Sequence, residues 1–121
     1  MGLAAALGPT LLISGDLALL HDTNGWLFSQ PFKPPLVVFL IDNGGGGIFH
    51  QLHLKTHEST SLDKLFSMPQ KVDFFSMASA YGVPVRQVSC LDDLEFAFEW
   101  SLSQSGPALI RVCTNSSNDA D

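Results

Sequence analysis

The apolar positions of this chain fall in short unbroken blocks rather than in a long alternation. The clearest is LVVFLI at 36–41, six consecutive apolar and partly β-branched residues launched by Pro34-Pro35. A run of that kind between breakers predicts a strand buried on both faces. TLLIS at 10–14 predicts a second buried parallel strand, closed by Gly15-Asp16. VRQV at 85–88 and ALIRVC at 108–113, the latter after Gly106-Pro107, predict two more. The segments between them have helical character. Residues 21–30 predict a helix capped by Asp22 or Thr23, and 72–81 predict one ending at Gly82, the C′ position. Asp92-Asp93 open a third over 92–103, with Leu94, Ala97, Phe98 and Leu102 on one stripe. The first eight residues read as the end of a helix that starts without a cap.

Strands alternating with helices specify an α/β fold: an open parallel sheet with helices on both faces. The sequence has no internal repeat and no low-complexity linker. One domain, or part of one, is therefore expected over 1–114, with 115–121 (NSSNDAD) a flexible polar tail.

Composition sharpens this. Only 15% of residues are charged against 45% hydrophobic, where a free-standing domain carries about 25% charged residues. Other protein is thus expected to cover some faces, as in a piece of a larger polypeptide or an oligomer. A net charge of −6 with six Lys plus Arg excludes a basic surface for nucleic acid. It also repels an anionic ligand unless a cation or backbone dipoles intervene. Cys90 and Cys113 lack CxxC spacing and read as reduced, buried thiols of a cytoplasmic protein. The apolar N-terminus has no positive n-region, and Gly8-Pro9 interrupts it well short of the ~20 residues of a membrane span.

Ligands of open parallel sheets bind at the carboxyl ends of strands. Two such ends carry unusual residues here: Gly15-Asp16, and Asp42-Asn43 before the glycine run 44–47. One helix and one strand of chain separate them, so both emerge at one sheet edge as near neighbours. Asp16 offers a carboxylate, Asn43 an amide oxygen, and the glycine run a main-chain carbonyl. Magnesium takes such a set of oxygens together with phosphate oxygens and water. A helix-capping Asp16 followed by a merely flexible glycine loop would leave the same trace.

The same residues carry a resemblance. Gly-Asp, a helix and a strand, then an Asn pair is the fingerprint of thiamine-diphosphate enzymes; this chain reads GDL…DN where the general form is GDG…NN. GDLALLHDTNG, PLVVFLIDNGGGGIF, LFSMPQKVDFFSMASAYGV and GPALIRV extend it in order and with matching spacing. From about Leu3 to Thr114 the chain resembles the C-terminal region of the 2-succinyl-5-enolpyruvyl-6-hydroxy-3-cyclohexene-1-carboxylate synthase family, in a cyanobacterial form.

The resemblance implies part of a thiamine-diphosphate-binding fold, the diphosphate-binding domain. It implies that Asp16, Asn43 and the carbonyl of Gly45 hold Mg2+ (or Mn2+). Gly15, Leu17, Ile48 and Phe49 complete the cofactor-binding set, with Leu52 beside Ile48 and Phe49 in the pocket lining. Asp42 stands at the family's first Asn, not itself a metal ligand, so binding is expected to persist with an added carboxylate nearby. HQLHLK stands where the family has a proline, so that loop is expected to differ in shape. The implied reaction is carbon–carbon bond formation in menaquinone and phylloquinone biosynthesis: 2-oxoglutarate loses carbon dioxide and the remainder joins isochorismate. The implied partners are the rest of the synthase, including the pyrimidine-binding domain of a neighbouring subunit, in a homodimer or homotetramer. The family's glutamate that acts on the cofactor lies in that other domain, and no residue here is assigned a catalytic role. Arg86 and Arg111 match no family substrate contact, so the chain alone is expected to be inactive. Another thiamine-diphosphate carboligase or decarboxylase, or a stand-alone magnesium-diphosphate binder, are the alternatives.

Other features read more plainly. His50, His53 and His57 could share a helical face, but no acidic or cysteine partner lies at a convincing interval for zinc. His50, directly after Phe49, is the better candidate for the cofactor pocket, and His21 is expected to begin a helix. Phe74, Phe75, Met68, Met77 and Tyr81 are expected in the core or an interface, and Trp26 and Trp100 on helices covering the sheet.

Overall fold

The computed structural model describes residues 1–47 and 68–114. Four strands form one sheet: β1 (Thr10–Gly15), β2 (Leu36–Asp42), β3 (Val85–Val88) and β4 (Pro107–Cys113). Their order is β1-β2-β4-β3, and every pairing is parallel. The helices are α1 (Gly2–Leu7), α2 (Asp16–His21), α3 (Phe74–Ala80) and α4 (Leu94–Leu102). The expected α/β class and parallel sheet are what the chain adopts.

Register explains how one sheet makes two cores. Val38 pairs with Leu109 and Phe39 with Ile110, and successive side chains point to opposite faces. Leu36, Val38, Leu40 and Leu109 therefore share one face, where Trp26, Phe74, Ala78 and Val83 pack on them. Val37, Ile110 and Val88 share the other, closed by Ala97 and by the half-buried Leu94, Phe98 and Phe39. The rings of Phe39 and Phe98 stack there at 5.8 Å. Helices thus lie on both faces. β2 and β4 are the buried centre, as their continuous apolar runs require.

α3 shows how local sequence sets both ends of a helix. The Asp73 side chain accepts from the Phe75 amide at 3.0 Å at the N-cap. At the other end Gly82 has φ 70, its N–H donates to Ser79 and that of Val83 to Ala78, both at 2.9 Å. That pair of bonds is the Schellman stop, and it needs the left-handed conformation glycine takes freely.

Four expectations are corrected. The helix expected over 21–30 instead begins at Asp16 as α2 and stops at His21, with Asp22 as its C-cap. A 3₁₀ segment, Thr23–Phe28, follows, and neither Asp22 nor Thr23 makes a side-chain N-cap; the Thr23 hydroxyl instead donates to the Leu20 carbonyl at 3.3 Å. Asn24-Gly25 has weak α-helical propensity, and the chain tightens there, with the Gly25 N–H bonded to the Asp22 carbonyl. His21 accordingly ends a helix. β1 is an edge strand rather than a buried one: Leu11, Leu12 and Ile13 are 48%, 47% and 61% exposed. On α4, Leu94, Ala97 and Phe98 of the expected stripe do pack on the sheet, but Leu102 is exposed and Ser101 is buried in its stead; Ser101, three residues after Phe98, donates its hydroxyl to the Phe98 carbonyl at 2.7 Å. The short 3₁₀ turn Leu91–Asp93 precedes α4. Finally, Cys90 and Cys113 are free but exposed, because they sit where β3 and β4 leave the sheet.

Trp26 is buried on its 3₁₀ segment. Trp100 is half-buried, with the Arg86 guanidinium 4.9 Å from its ring centroid. Phe74 is in the core with Met77 and Tyr81 against it, whereas Met68 and Phe75 are exposed.

Candidate functional site at the carboxyl edge of the sheet

Gly15 pairs with Ile41 in the β1–β2 register, so Asp16 and Asp42 follow from adjacent positions at the carboxyl edge. Gly15 is extended, with φ −80 and ψ 165, and turns the chain directly from strand into helix. Asp16 is therefore the first residue of α2 and only 3% exposed. Its Oδ1 accepts the neighbouring Leu17 amide at 2.7 Å. Its Oδ2 is buried and, among the described residues, has no hydrogen-bond partner. Desolvated polar atoms are nearly always satisfied, and an unpaired carboxylate oxygen is among the most costly to leave bare. A cation on that oxygen would remove the cost.

Across from it, Asp42 ends β2 and divides its carboxylate. Oδ2 receives Nε and Nη2 of Arg111, at 2.8 and 2.6 Å. Oδ1 accepts the Gly44 amide at 3.2 Å. Asn43, half-buried, comes next. Gly44 and Gly45 have φ 79 and 141, conformations that glycine adopts without the clash a Cβ brings. Gly45 is buried; its carbonyl accepts the Gly47 N–H at 2.9 Å, and that of Gly44 accepts Gln70 at 3.0 Å. A carbonyl oxygen has two lone pairs, so the bond from Gly47 leaves Gly45 able to accept once more. A cleft of about 360 Å³ opens here, lined among others by Asp42, Asn43, Gly44, Lys71 and Arg111.

Gly15, Asp16, Leu17, Asn43 and Gly45 thus lie at one sheet edge, the two strand ends being neighbours as the spacing predicted. Ile48, Phe49, Leu52, His50, His53 and His57 lie outside the described residues. Among the described residues no three His, Cys, Asp or Glu side chains form a metal-binding group. A cation here would draw on one carboxylate with amide and main-chain oxygens, the hard-oxygen set that suits Mg2+. The Asp42–Arg111 pair is the feature sequence reasoning missed. An arginine inside the apolar strand ALIRVC was the available signal, since a charge in such a strand needs a partner.

The fold and the site define a cofactor-binding domain. Residues 1–112 match the family described as the thiamine pyrophosphate enzyme C-terminal TPP binding domain, and the chain belongs to it. More particularly, it is similar to 2-succinyl-5-enolpyruvyl-6-hydroxy-3-cyclohexene-1-carboxylate synthases. That of Prochlorococcus marinus (strain MIT 9313) is 63% identical over 120 residues, 99% of this chain and 21% of the relative. That of Synechococcus sp. (strain CC9311) is 57% identical, with the same coverage of 99% and 21%. The chain spans about a fifth of the length of these curated relatives. Among solved structures, the thiamine diphosphate-dependent 4-hydroxybenzoylformate decarboxylase of Rhodococcus jostii RHA1 aligns at TM-score 0.77 and 26% identity, over 98% of this chain and 22% of that one. The benzoylformate decarboxylase of Polynucleobacter necessarius shares the fold at TM-score 0.76 and 20% identity, over 95% and 21%.

Proposed function

We propose that this chain is the magnesium- and diphosphate-binding part of a thiamine-diphosphate-dependent synthase that joins decarboxylated 2-oxoglutarate to isochorismate. The observation that carries the reading is the bare, buried Oδ2 of Asp16 at the sheet edge it shares with Asn43 and the glycine run. The relatives at 63% and 57% identity are named as synthases of 2-succinyl-5-enolpyruvyl-6-hydroxy-3-cyclohexene-1-carboxylate; the two substrates and the place in quinone biosynthesis come from the family resemblance.

In this reading residues 1–114 are the diphosphate-binding domain. Asp16, Asn43 and the Gly45 carbonyl hold Mg2+ or Mn2+, and the metal holds the diphosphate against a net charge of −6. Bound thiamine diphosphate supplies the chemistry that breaks and makes the carbon–carbon bonds. This chain's own work is to orient the cofactor and to keep its anionic end dry. Gly15 and Leu17 flank the metal carboxylate, and Ile48, Phe49 and Leu52 supply apolar wall. The site is completed by the pyrimidine-binding domain of a neighbouring subunit, in a cytoplasmic homodimer or homotetramer. No helix among the described residues is long and apolar enough to cross a membrane.

The experiment is twofold. Mn2+ binding to the chain is followed by electron paramagnetic resonance with and without thiamine diphosphate. The chain is then placed in the full-length Prochlorococcus relative in exchange for its matching segment, and synthase turnover is measured. Cooperative binding of metal and cofactor together with turnover is expected. Binding without turnover would leave a non-catalytic diphosphate binder, and absence of both would end the reading.

A further inference from the structure

We infer that Arg111 is a positioning residue for the metal-diphosphate site, acting through Asp42, and that the two form one coupled unit. The inference rests on the proposed reading of that site.

Three observations carry it. Asp42 brings a carboxylate, nearly buried, to the residue directly before Asn43 and, across the β1–β2 register, next to Asp16. A second anion there raises the cost of binding a diphosphate. Arg111 answers it with two guanidinium nitrogens on the single oxygen Oδ2, at 2.8 and 2.6 Å. That leaves Oδ1 for the Gly44 amide at 3.2 Å. The pair therefore cancels the charge, and it also fixes the first bond of the turn that presents Gly45.

Arg111 is itself held in place. It lies opposite Leu40 on β2 and Gln87 on β3, so its side chain rises on the face of the sheet that Asp42 shares, two residues further along β2. Nη1 reaches Gln87 Oε1 at 3.4 Å, and the guanidinium lies 5.8 Å from the Phe74 ring centroid. Lysine could neutralise Asp42 but could not put two fixed donors on one oxygen while keeping these contacts.

A double-mutant cycle tests this: wild type, R111Q, D42N and D42N/R111Q, with R111K as the conservative variant. Each is prepared as the full chain and in the full-length Prochlorococcus relative carrying it, so that a variant unfolded in one setting is read in the other. The readouts are dissociation constants for Mn2+ and for thiamine diphosphate, and the thermal midpoint without ligand. R111Q is expected to weaken both affinities about tenfold, a typical coupling for residues in one hydrogen-bond network. D42N/R111Q is expected to recover to within about threefold of wild type, because no charge is left to cancel. R111K should fall between wild type and R111Q.

Unchanged affinities in R111Q, with only a lower midpoint, would make the pair a structural brace and overturn the inference. So would a double variant as weak as R111Q. Tighter metal binding in R111Q would overturn it differently, revealing Asp42 as a masked ligand. If the wild type itself binds neither metal nor cofactor, it is the proposed function that fails.

Discussion

Gly15 lies directly opposite Ile41 in the parallel register of β1 and β2, and this places Asp16 and Asp42 side by side where the strands end. Two adjacent buried carboxylates would repel each other and any anion brought to them. The chain treats them differently. Asp42 is neutralised by Arg111 at 2.6 Å, whereas Asp16 Oδ2 has no hydrogen-bond partner among the described residues. That asymmetry is what the proposed reading builds on, with Asp16 as the metal ligand and Asp42 as the residue that shapes the turn.

Replacing Asp16 by Asn should therefore separate stability from binding. The variant keeps an oxygen for the Leu17 amide and removes a desolvated charge, so its thermal midpoint without metal should equal or exceed that of wild type. Mn2+ affinity should fall by at least about 100-fold, beyond the usual effect of residues that only support a metal ligand. A metal titration and a melting curve on the same sample decide it. Lower stability with affinity retained would show that Oδ2 is not a ligand.

The glycines away from the site make different demands. At Gly106, φ is 121 and an added Cβ would come within 2.5 Å of the Phe32 carbonyl oxygen, a backbone atom. At Gly82, φ is 70 and the obstacle is the end of the Gln30 side chain, which can swing aside. Gly106→Ala should therefore cost about 3 kcal/mol, strain and clash together. Gly82→Ala should cost about 1 kcal/mol, the left-handed penalty alone. Urea denaturation of the two variants checks the order, and the reverse order would contradict the account.

How much of this was readable beforehand depends on the range of the forces involved. β2 announced itself because Leu36 to Ile41 is apolar without a break and prolines precede it. Gly82 marked the end of α3 because the Schellman stop is a local requirement. Gly-Asp read only as the close of a strand, because nothing in the letters says that Gly15 turns straight into α2. The weak helical propensity of Asn24-Gly25 was visible, but its outcome, a 3₁₀ turn in place of an α-helix, was not. The site's residues could be gathered from strand spacing, since a crossover returns the chain to the same edge. The Asp42–Arg111 bond could not, because its partners lie 69 residues apart in the chain. Edge position is equally invisible: TLLIS is as apolar as β2, yet among the described residues β1 has a strand on one side only.

The corrected stripe of α4 makes a quantitative contrast with the sheet. Leu40 is fully buried between β1 and β4, and Leu40→Ala should cost about 3 kcal/mol in transfer and cavity terms. Leu102, expected on the buried stripe but exposed, should change stability by no more than about 0.5 kcal/mol on the same replacement. Equal losses in chemical denaturation would mean that Leu102 packs on the sheet together with Leu94, Ala97 and Phe98.

The cap of α3 gives stability a pH dependence of known sign. The Asp73 carboxylate accepts from the Ser76 hydroxyl at 2.5 Å and from the Phe75 amide at 3.0 Å. Those bonds, that to Ser76 foremost, hold its pKa below the ordinary 3.8. A carboxyl whose pKa is lowered by folding contributes stability that is fully present above its unfolded value. That contribution disappears as pH falls through the lower folded value. Asp73→Asn keeps an oxygen that caps the helix but cannot ionise. The stability difference between wild type and this variant should be constant from neutral pH down to about pH 5, the onset expected for a carboxyl of this unfolded pKa. Below 3.8 it should shrink in the direction that disfavours the wild type. Urea midpoints of both proteins, taken pairwise across that range, cancel the titration of every other carboxylate. A difference that stayed flat to the lowest pH at which both remain folded would show that the Ser76 and Phe75 bonds do not stabilise the ionised cap.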